Sequence, residues 1–347
     1  QAVVACRFSL PFLDAERTGK SMRKVLHLGP CNSRGGMATV MHTLAEHPPT
    51  GWQADLLSSH AEGGVWSKWR AYRRARHELL RRFADEGLRP DVVHVHVAAD
   101  WSWRRKVRFI TLARAHGLPV VVHLHSGQFD TWLSRGGEKR QHRVRSVLDD
   151  AGVHGVVLSL AWHEKLTPVL GPLEVVHNPH PPLPSSTNER EQQHLLLLGR
   201  SVPAKGHDFA VTLVTALRSS FPDVRLTMTG ASKSAHTWVD ARGWVSVEEK
   251  ASLLAEASVL LVPSAFEGQP VVVLEALAAG VPVCTSDRVK GLPETVETAR
   301  FGDVEAWVEA VSNLFENPPT PASLKASVAS YGVDKIQQRW KSLYESL

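Results

Sequence analysis

The chain has 347 residues, of which 43% are hydrophobic and 22% are charged, and its formal net charge is +5. This length predicts two domains, since a domain typically has about 100 to 200 residues. The composition excludes a disordered protein, and no apolar run reaches the roughly 18 to 20 residues that a transmembrane helix needs. Three scattered cysteines exclude a disulfide framework and favour a reducing compartment, so we expect a cytoplasmic protein.

The first half of the chain has the pattern of a parallel sheet. Residues 1–21 precede Met22 and are predicted to be an N-terminal extension. From there, short β-rich runs alternate with longer helical patterns, which is typical of a parallel sheet covered by helices on both faces. The predicted strands are residues 24–28, 91–97, 119–124, 155–160 and 173–177. The sequence therefore predicts a Rossmann-like domain over residues 22–185.

The second half repeats this pattern after a linker. Residues 179–191 are rich in Pro, Ser and charge, which indicates a linker. The predicted strands that follow are residues 194–198, 224–229, 241–245, 258–262 and 281–285. A second Rossmann-like domain is predicted over residues 186–330, followed by an amphipathic helix over residues 331–347.

Two loops have the composition of phosphate-binding loops. Gly35 and Gly36 lie between the first strand and a helix, where the backbone can approach a ligand and the helix N-terminus favours an anion. Arg200 and Lys205 follow the first strand of the second domain, at the sheet edge where parallel sheets bind ligands. Together the two cations can neutralise a diphosphate, whereas an ordinary tight turn and a solvated charged loop are the alternatives.

The most specific motif runs from residue 263 to residue 283, PSAFEGQPVVVLEALAAGVPV. A strand ends at Pro263, a loop carries Glu267, and a helix begins near Pro270. Both Glu267 and Glu275 are suited to accept hydrogen bonds from sugar or ribose hydroxyls.

This motif and the two loops resemble the retaining GT-B glycosyltransferases of glycosyltransferase family 4, over essentially residues 22–347. The resemblance implies an α/β, GT-B fold, in which two Rossmann-like parallel-sheet domains face each other across a cleft and a C-terminal helix crosses back to the first domain. It also implies that the first domain binds the acceptor and the second binds the nucleotide-sugar donor.

The resemblance also implies the roles of site residues. The catalytic residues would be His125, Arg200, Lys205 and Glu267, and the donor-binding residues would be Gly35, Gly36, Gly268, Gln269, Pro270, Val271 and Glu275. His123 competes with His125 for the place of the family's histidine near the donor sugar. For either histidine, packing between strand and helix is the alternative.

The implied reaction moves a sugar, with retention of configuration, from a nucleotide diphosphate-sugar to a glycan or lipid-linked oligosaccharide, in exopolysaccharide or cell-surface glycan biosynthesis. We expect no cofactor and no obligatory metal, because Arg200 and Lys205 can neutralise the phosphates and the sequence has no Asp-x-Asp cluster. A GT-B nucleotide-sugar epimerase is the alternative enzyme.

Two further features leave alternatives open. Residues 66–83 combine seven Lys and Arg residues with Trp66, Trp69 and Tyr72, which fits either docking on anionic membrane at its inner face or an ordinary surface helix. A membrane- or nucleic-acid-docking module would rest on this segment alone, and no nucleic-acid motif accompanies it. His94 and His96 point to one face of a strand, where packing is favoured over a metal site.

Overall fold

The described part of the chain forms two parallel sheets of six strands each. The computed structural model describes residues 22–231 and 233–347. The first sheet consists of β1 (Arg23–Gly29), β2 (Trp52–Ser58), β3 (Val92–Val97), β4 (Val120–Leu124), β5 (Val153–Val157) and β6 (Glu174–Val175). The second consists of β7 (His194–Leu197), β8 (Arg225–Thr229), β9 (Val239–Arg242), β10 (Val259–Val262), β11 (Val283–Ser286) and β12 (Glu297–Ala299). The predicted extension, residues 1–21, lies outside the described residues.

The strand orders are those of doubly wound sheets. They are β2-β1-β3-β4-β5-β6 in the first sheet and β12-β11-β10-β7-β8-β9 in the second. Every one of these strand pairs is parallel. The carboxyl ends of all strands in a sheet therefore lie at one edge, where the connecting loops can form a site.

Helices cover the sheets. The first half contributes α1 (Gly36–Glu46), α2 (Val65–Ala84), α3 (Trp101–Ala115), α4 (Phe129–Arg135), α5 (Gly137–Leu148) and α6 (Leu160–Leu170). The second half contributes α7 (His207–Leu217), α8 (Val247–Glu256), α9 (Val271–Ala278), α10 (Val304–Glu316), α11 (Pro321–Ser327) and α12 (Val333–Glu345). Among the described helices, none has both the length and the apolar character to span a membrane.

Burial explains why the central strands could be predicted from the sequence. All residues of β3 and β4 are buried, so these strands are continuous apolar runs interrupted only by histidines. Strands β2 and β12, which were not predicted from the sequence, lie at sheet edges. In β2 only Trp52 and Leu57 are buried, and an edge strand covered so incompletely lacks the apolar run.

The last helix returns to the first sheet. Trp340 and Tyr344 of α12 belong to one hydrophobic cluster with Val25 of β1 and Val121 of β4. Residues 180 and 332 form a β-bridge, which fastens the linker to the start of α12. The predicted α/β architecture, with two parallel-sheet domains and a helix that crosses back, is confirmed.

Candidate functional site

The two sheets meet through the loops at the carboxyl ends of β4 and β10. A Cβ atom on Gly268 would collide with the carbonyl oxygen of His125, and one on Gly127 would collide with the backbone of Glu267. The loops thus touch backbone to backbone, which only glycine permits at these positions. The indole nitrogen of Trp162 also donates a hydrogen bond of 2.7 Å to the Gly268 carbonyl. The structure therefore brings His125 and Glu267, predicted from motifs 142 residues apart, to one place.

Lys205 and Glu267 form an ion pair in the second domain. Ser264 donates a further hydrogen bond of 2.8 Å to the same oxygen, Glu267 Oε1. Lys205 ends a short 3₁₀ turn, and Gly206 beside it has φ +73°, where a Cβ would lie 2.8 Å from the Pro263 carbonyl oxygen. This close approach holds Lys205 against the end of β10.

Arg200 precedes this turn, and its side chain reaches the first domain. A Cβ on Gly35, which has φ +134°, would lie 3.8 Å from Arg200 Nε. Gly36 is the first residue of α1, and apart from its own helix the described residues place no atom within 4 Å of where its Cβ would be. The predicted glycine loop at Gly35 and the predicted cation Arg200 therefore face each other across the interface between the two domains.

Glu275 is buried in α9 and bound by a residue that the sequence analysis missed. Lys250 of α8 donates a hydrogen bond of 2.5 Å to Glu275 Oε1. Within the described residues Glu275 Oε2 is buried and has no partner. Burial raises the pKa of Glu275, and the Lys250 ammonium opposes this rise. No local pattern links residues 25 apart on two helices, so only the fold reveals Lys250.

The remaining predicted donor-binding residues lie at the start of α9. Gln269 Oε1 accepts a hydrogen bond of 2.7 Å from the Asn178 backbone, and Asn178 Nδ2 donates one of 2.9 Å to the Gln269 carbonyl. Pro270 precedes α9, and Val271 packs in the cluster that contains Trp340. The Gln269 side chain thus faces the domain joint, and its role toward a donor stays a prediction.

Five histidines meet on one face of the first sheet, of which His27 alone was not singled out from the sequence. His27 Nδ1 lies 3.0 Å from His96 Nε2, and His96 Nδ1 lies 2.9 Å from His125 Nε2. On the neighbouring side, Tyr344 Oη lies 2.6 Å from His94 Nδ1, and His94 Nε2 lies 3.1 Å from His123 Nδ1. His123 is fully buried, whereas His125 is partly exposed beside Glu267 and Gly268.

Burial keeps these imidazoles neutral. It lowers the pKa of His27 to about 3, and together with the nearby Lys106 it lowers that of His125 to about 3. It also lowers the pKa values of His94, His96 and His123 well below their usual range, and the neighbouring histidines add to this. The ring nitrogens of two overlapping trios, His27/His94/His96 and His96/His123/His125, lie within 4.8 Å of one another. Hydrogen bonds use both ring nitrogens of His94 and of His96, so a metal would have to displace them.

The basic helix α2 is divided between core and surface. Ala75, Leu79 and Phe83 are buried against the sheet, while Trp66 is 75% exposed and Trp69 is 45% exposed. Trp101, at the start of α3, is 70% exposed, and Arg104 lies over its ring. The C-terminal half of α2 therefore packs as an ordinary surface helix, whereas its N-terminal half presents aromatic and basic side chains to solvent.

Comparisons with known proteins show what the chain is similar to in sequence. Residues 192–317 match the family model described as Glycosyl transferases group 1. A glycogen synthase of Mycobacterium tuberculosis is 28% identical over 274 residues, which cover 71% of this chain and 65% of that protein. The chain therefore spans just under two thirds of the length of this curated relative.

Two solved structures share the architecture. Sucrose-phosphate synthase from Thermosynechococcus elongatus superposes with a TM-score of 0.69 at 17% identity, over 93% of this chain and 98% of that chain. Anabaena Alr3699/HepE, solved in complex with UDP, superposes with a TM-score of 0.66 at 13% identity, over 93% of this chain and 100% of that chain. The chain therefore has the GT-B fold, and its residues 192–317 form a Glycosyl transferases group 1 domain.

Proposed function

We propose that the protein is a retaining glycosyltransferase of family 4, which moves a sugar from a nucleotide diphosphate-sugar to a glycan or lipid-linked oligosaccharide. The observation that carries this proposal is the convergence of His125, Arg200, Lys205 and Glu267 at the joint between the sheets. The Glycosyl transferases group 1 domain contains three of these four residues.

The negative charge that develops during the reaction explains the role of the two cations, Arg200 and Lys205. As the bond between the sugar C1 and the β-phosphate oxygen breaks, negative charge grows on that oxygen. Arg200 and Lys205 would stabilise this charge more in the transition state than in the ground state, which lowers the barrier. They would do so without an obligatory metal. Because Lys205 is paired with Glu267 in the described structure, the donor would enter as a third partner of that pair.

The carboxylates would position the donor. Glu267 would accept hydrogen bonds from the sugar hydroxyls, and Glu275 Oε2, buried with no partner among the described residues, would accept from the ribose. The acceptor hydroxyl would attack C1 from the face that the nucleotide leaves, and its proton would pass to the departing β-phosphate. One C–O bond breaks and one forms on the same face of C1, so configuration is retained.

The exposed surface of α2 supports a lipid-linked acceptor and a pathway of exopolysaccharide or cell-surface glycan synthesis. Trp66 and Trp69 are exposed beside Arg70, Arg73 and Arg74. Aromatic and basic side chains together suit the surface of an anionic membrane. Docking there would hold the cleft near a lipid-linked substrate at the inner face of the membrane.

A nucleotide-sugar screen tests the proposed reaction. The melting temperature of the protein is measured with UDP, GDP and ADP and with their common sugar conjugates, since a ligand that binds only the folded state raises it. The stabilising conjugates are then incubated with oligosaccharide acceptors, and NMR of the product gives its anomeric configuration. A product with inverted configuration would contradict retention, and an epimerised sugar formed without acceptor would favour the epimerase.

A further inference from the structure

Three histidines form a hydrogen-bonded chain that leads from the core of the first sheet to the candidate site. His27 on β1, His96 on β3 and His125 after β4 are joined by contacts of 3.0 and 2.9 Å. His27 and His96 are 1% and 0% exposed, so His125 is the member that reaches the surface of the site. Parallel register explains the alignment, because β1 and β4 both pair with β3.

Because the imidazoles of His27, His96 and His125 are neutral, each of these rings carries only one proton. A neutral imidazole has one N–H donor and one acceptor nitrogen. His96 is bonded on both sides, so it donates to one neighbour and accepts from the other. The three rings are therefore ordered in one of two directions, and the direction sets which nitrogen of His125 carries its proton.

The inner end of the chain favours one direction. Among residues 22–231 and 233–347, no protein group forms a hydrogen bond with His27 Nε2. If protons pointed inward, His27 would carry its N–H on Nε2 with no protein partner, in a residue that is only 1% exposed. If the protons point outward, His27 Nε2 carries no proton, and only its lone pair is left without a hydrogen bond. Buried N–H donors without partners are the rarer case, so the outward direction is favoured.

We infer that His96 is a positioning residue, which donates Nδ1–H to His125 Nε2 and so makes His125 Nδ1–H a hydrogen-bond donor toward the substrate. This inference rests on the proposed function for its consequence in catalysis. With its lone pair occupied by His96, His125 is unable to act as a general base. It would instead donate to a sugar or phosphate oxygen, and the acceptor proton would leave with the phosphate.

A second series of hydrogen-bonded side chains, next to the first, supplies a control variant. Tyr344, His94 and His123 are linked by contacts of 2.6 and 3.1 Å and are all buried, but they do not include His125. Removing the Tyr344 hydroxyl would break one hydrogen bond to a buried imidazole and leave the contact between His96 and His125 in place. A purely structural contribution of the buried histidines should therefore appear in both variants, although His96→Leu removes two hydrogen bonds and Tyr344→Phe removes one.

Histidine-selective ¹⁵N NMR of the full chain tests the inference without any substrate. We expect His125, assigned by its loss in His125→Gln, to carry its proton on Nδ1 in the wild type and in Tyr344→Phe. In His96→Leu the Nε2-protonated form should appear, and in His96→Asn, whose amide can replace the donor, the Nδ1 form should be kept. A wild-type His125 protonated on Nε2 would overturn the inference, and this measurement does not depend on whether His96→Leu folds.

The catalytic consequence of the inference is tested by measuring kcat and KM of the variants with the donor that the nucleotide-sugar screen identifies. His96→Leu should lower kcat about tenfold with little change in KM, and Tyr344→Phe should leave kcat within about twofold. Equal losses of kcat in the two variants would show that His96 acts only through stability. If no sugar is transferred at all, the proposed function fails, while the proton position of His125 remains measurable.

Discussion

Lys205 and Glu267 are ion-paired at the joint between the two sheets, although 61 residues separate them in the sequence. Neither partner is a core residue, and the pair lies beside the loop that carries His125. We expect Lys205→Ala and Glu267→Ala each to lower turnover by about a hundredfold to a thousandfold, because each removes a group aimed at charge or hydroxyls of the donor. Arg145→Ala, which breaks an exposed ion pair at the C-terminal end of α5, is the control. Near-normal turnover in both site variants would remove these residues from the mechanism.

Lys250 and Glu275 allow stability and nucleotide binding to be separated. Lys250→Met leaves the Glu275 carboxylate buried without its cation, which should lower the free energy of unfolding by about 3 to 5 kcal/mol. The double variant Lys250→Met/Glu275→Gln should recover most of that loss but still bind UDP, GDP or ADP more weakly than the wild type. Urea unfolding and calorimetric titration measure the two quantities. Wild-type nucleotide affinity in the double variant would contradict the ribose assignment.

Transfer should continue in excess EDTA. Arg200 and Lys205 provide fixed positive charge for the diphosphate, so the proposed mechanism needs no divalent cation. Initial rates are measured with EDTA and with added magnesium or manganese. An enzyme inactivated by EDTA and restored by either metal would show that this expectation is wrong.

The free energy of unfolding should fall at acidic pH by more than the titration of the carboxylates alone predicts. His27 has a pKa of about 3 when folded, against 6.5 for a free side chain, so the unfolded state binds more protons below pH 6.5. Stability is therefore present above pH 6.5 and is lost as the pH falls toward 3, by about 2 kcal/mol at pH 5 for this one residue. The other four imidazoles have pKa values shifted in the same direction. Urea unfolding at pH 7.5, 6 and 5 should show this loss, and a free energy of unfolding that is constant over this range would contradict it.

The exposed half of α2 should bind anionic vesicles. Arg70, Arg73 and Arg74 are exposed near Trp66 and Trp69, and each basic residue at such a surface contributes about 1 kcal/mol. Changing the three arginines to Gln should weaken co-sedimentation with phosphatidylserine vesicles by roughly a hundredfold, and high salt should release the wild type. The variant Arg81→Gln/Arg82→Gln is the control, since these arginines are paired with Glu78 and Asp55. Wild type that stays in solution with anionic vesicles at low salt would favour a soluble acceptor.

The sequence by itself determined the architecture and the candidate loops. The apolar runs of β3, β4 and β10 were readable because both faces of a central parallel strand are buried. The motif around Glu267 and Glu275 was readable because its residues are adjacent in the chain. Edge strand β2 was not, since only two of its residues are buried.

Only the tertiary structure decided which side chains act on one another. Lys250 reaches Glu275 from another helix, and the pairing of β1, β3 and β4 brings His27, His96 and His125 into one chain of hydrogen bonds. Such contacts depend on strand register and helix packing, which place residues by their position in space and leave no local pattern in the sequence. His94 and His96 could be assigned to one face of a strand from their spacing, but their partners on β1, β4 and α12 could not.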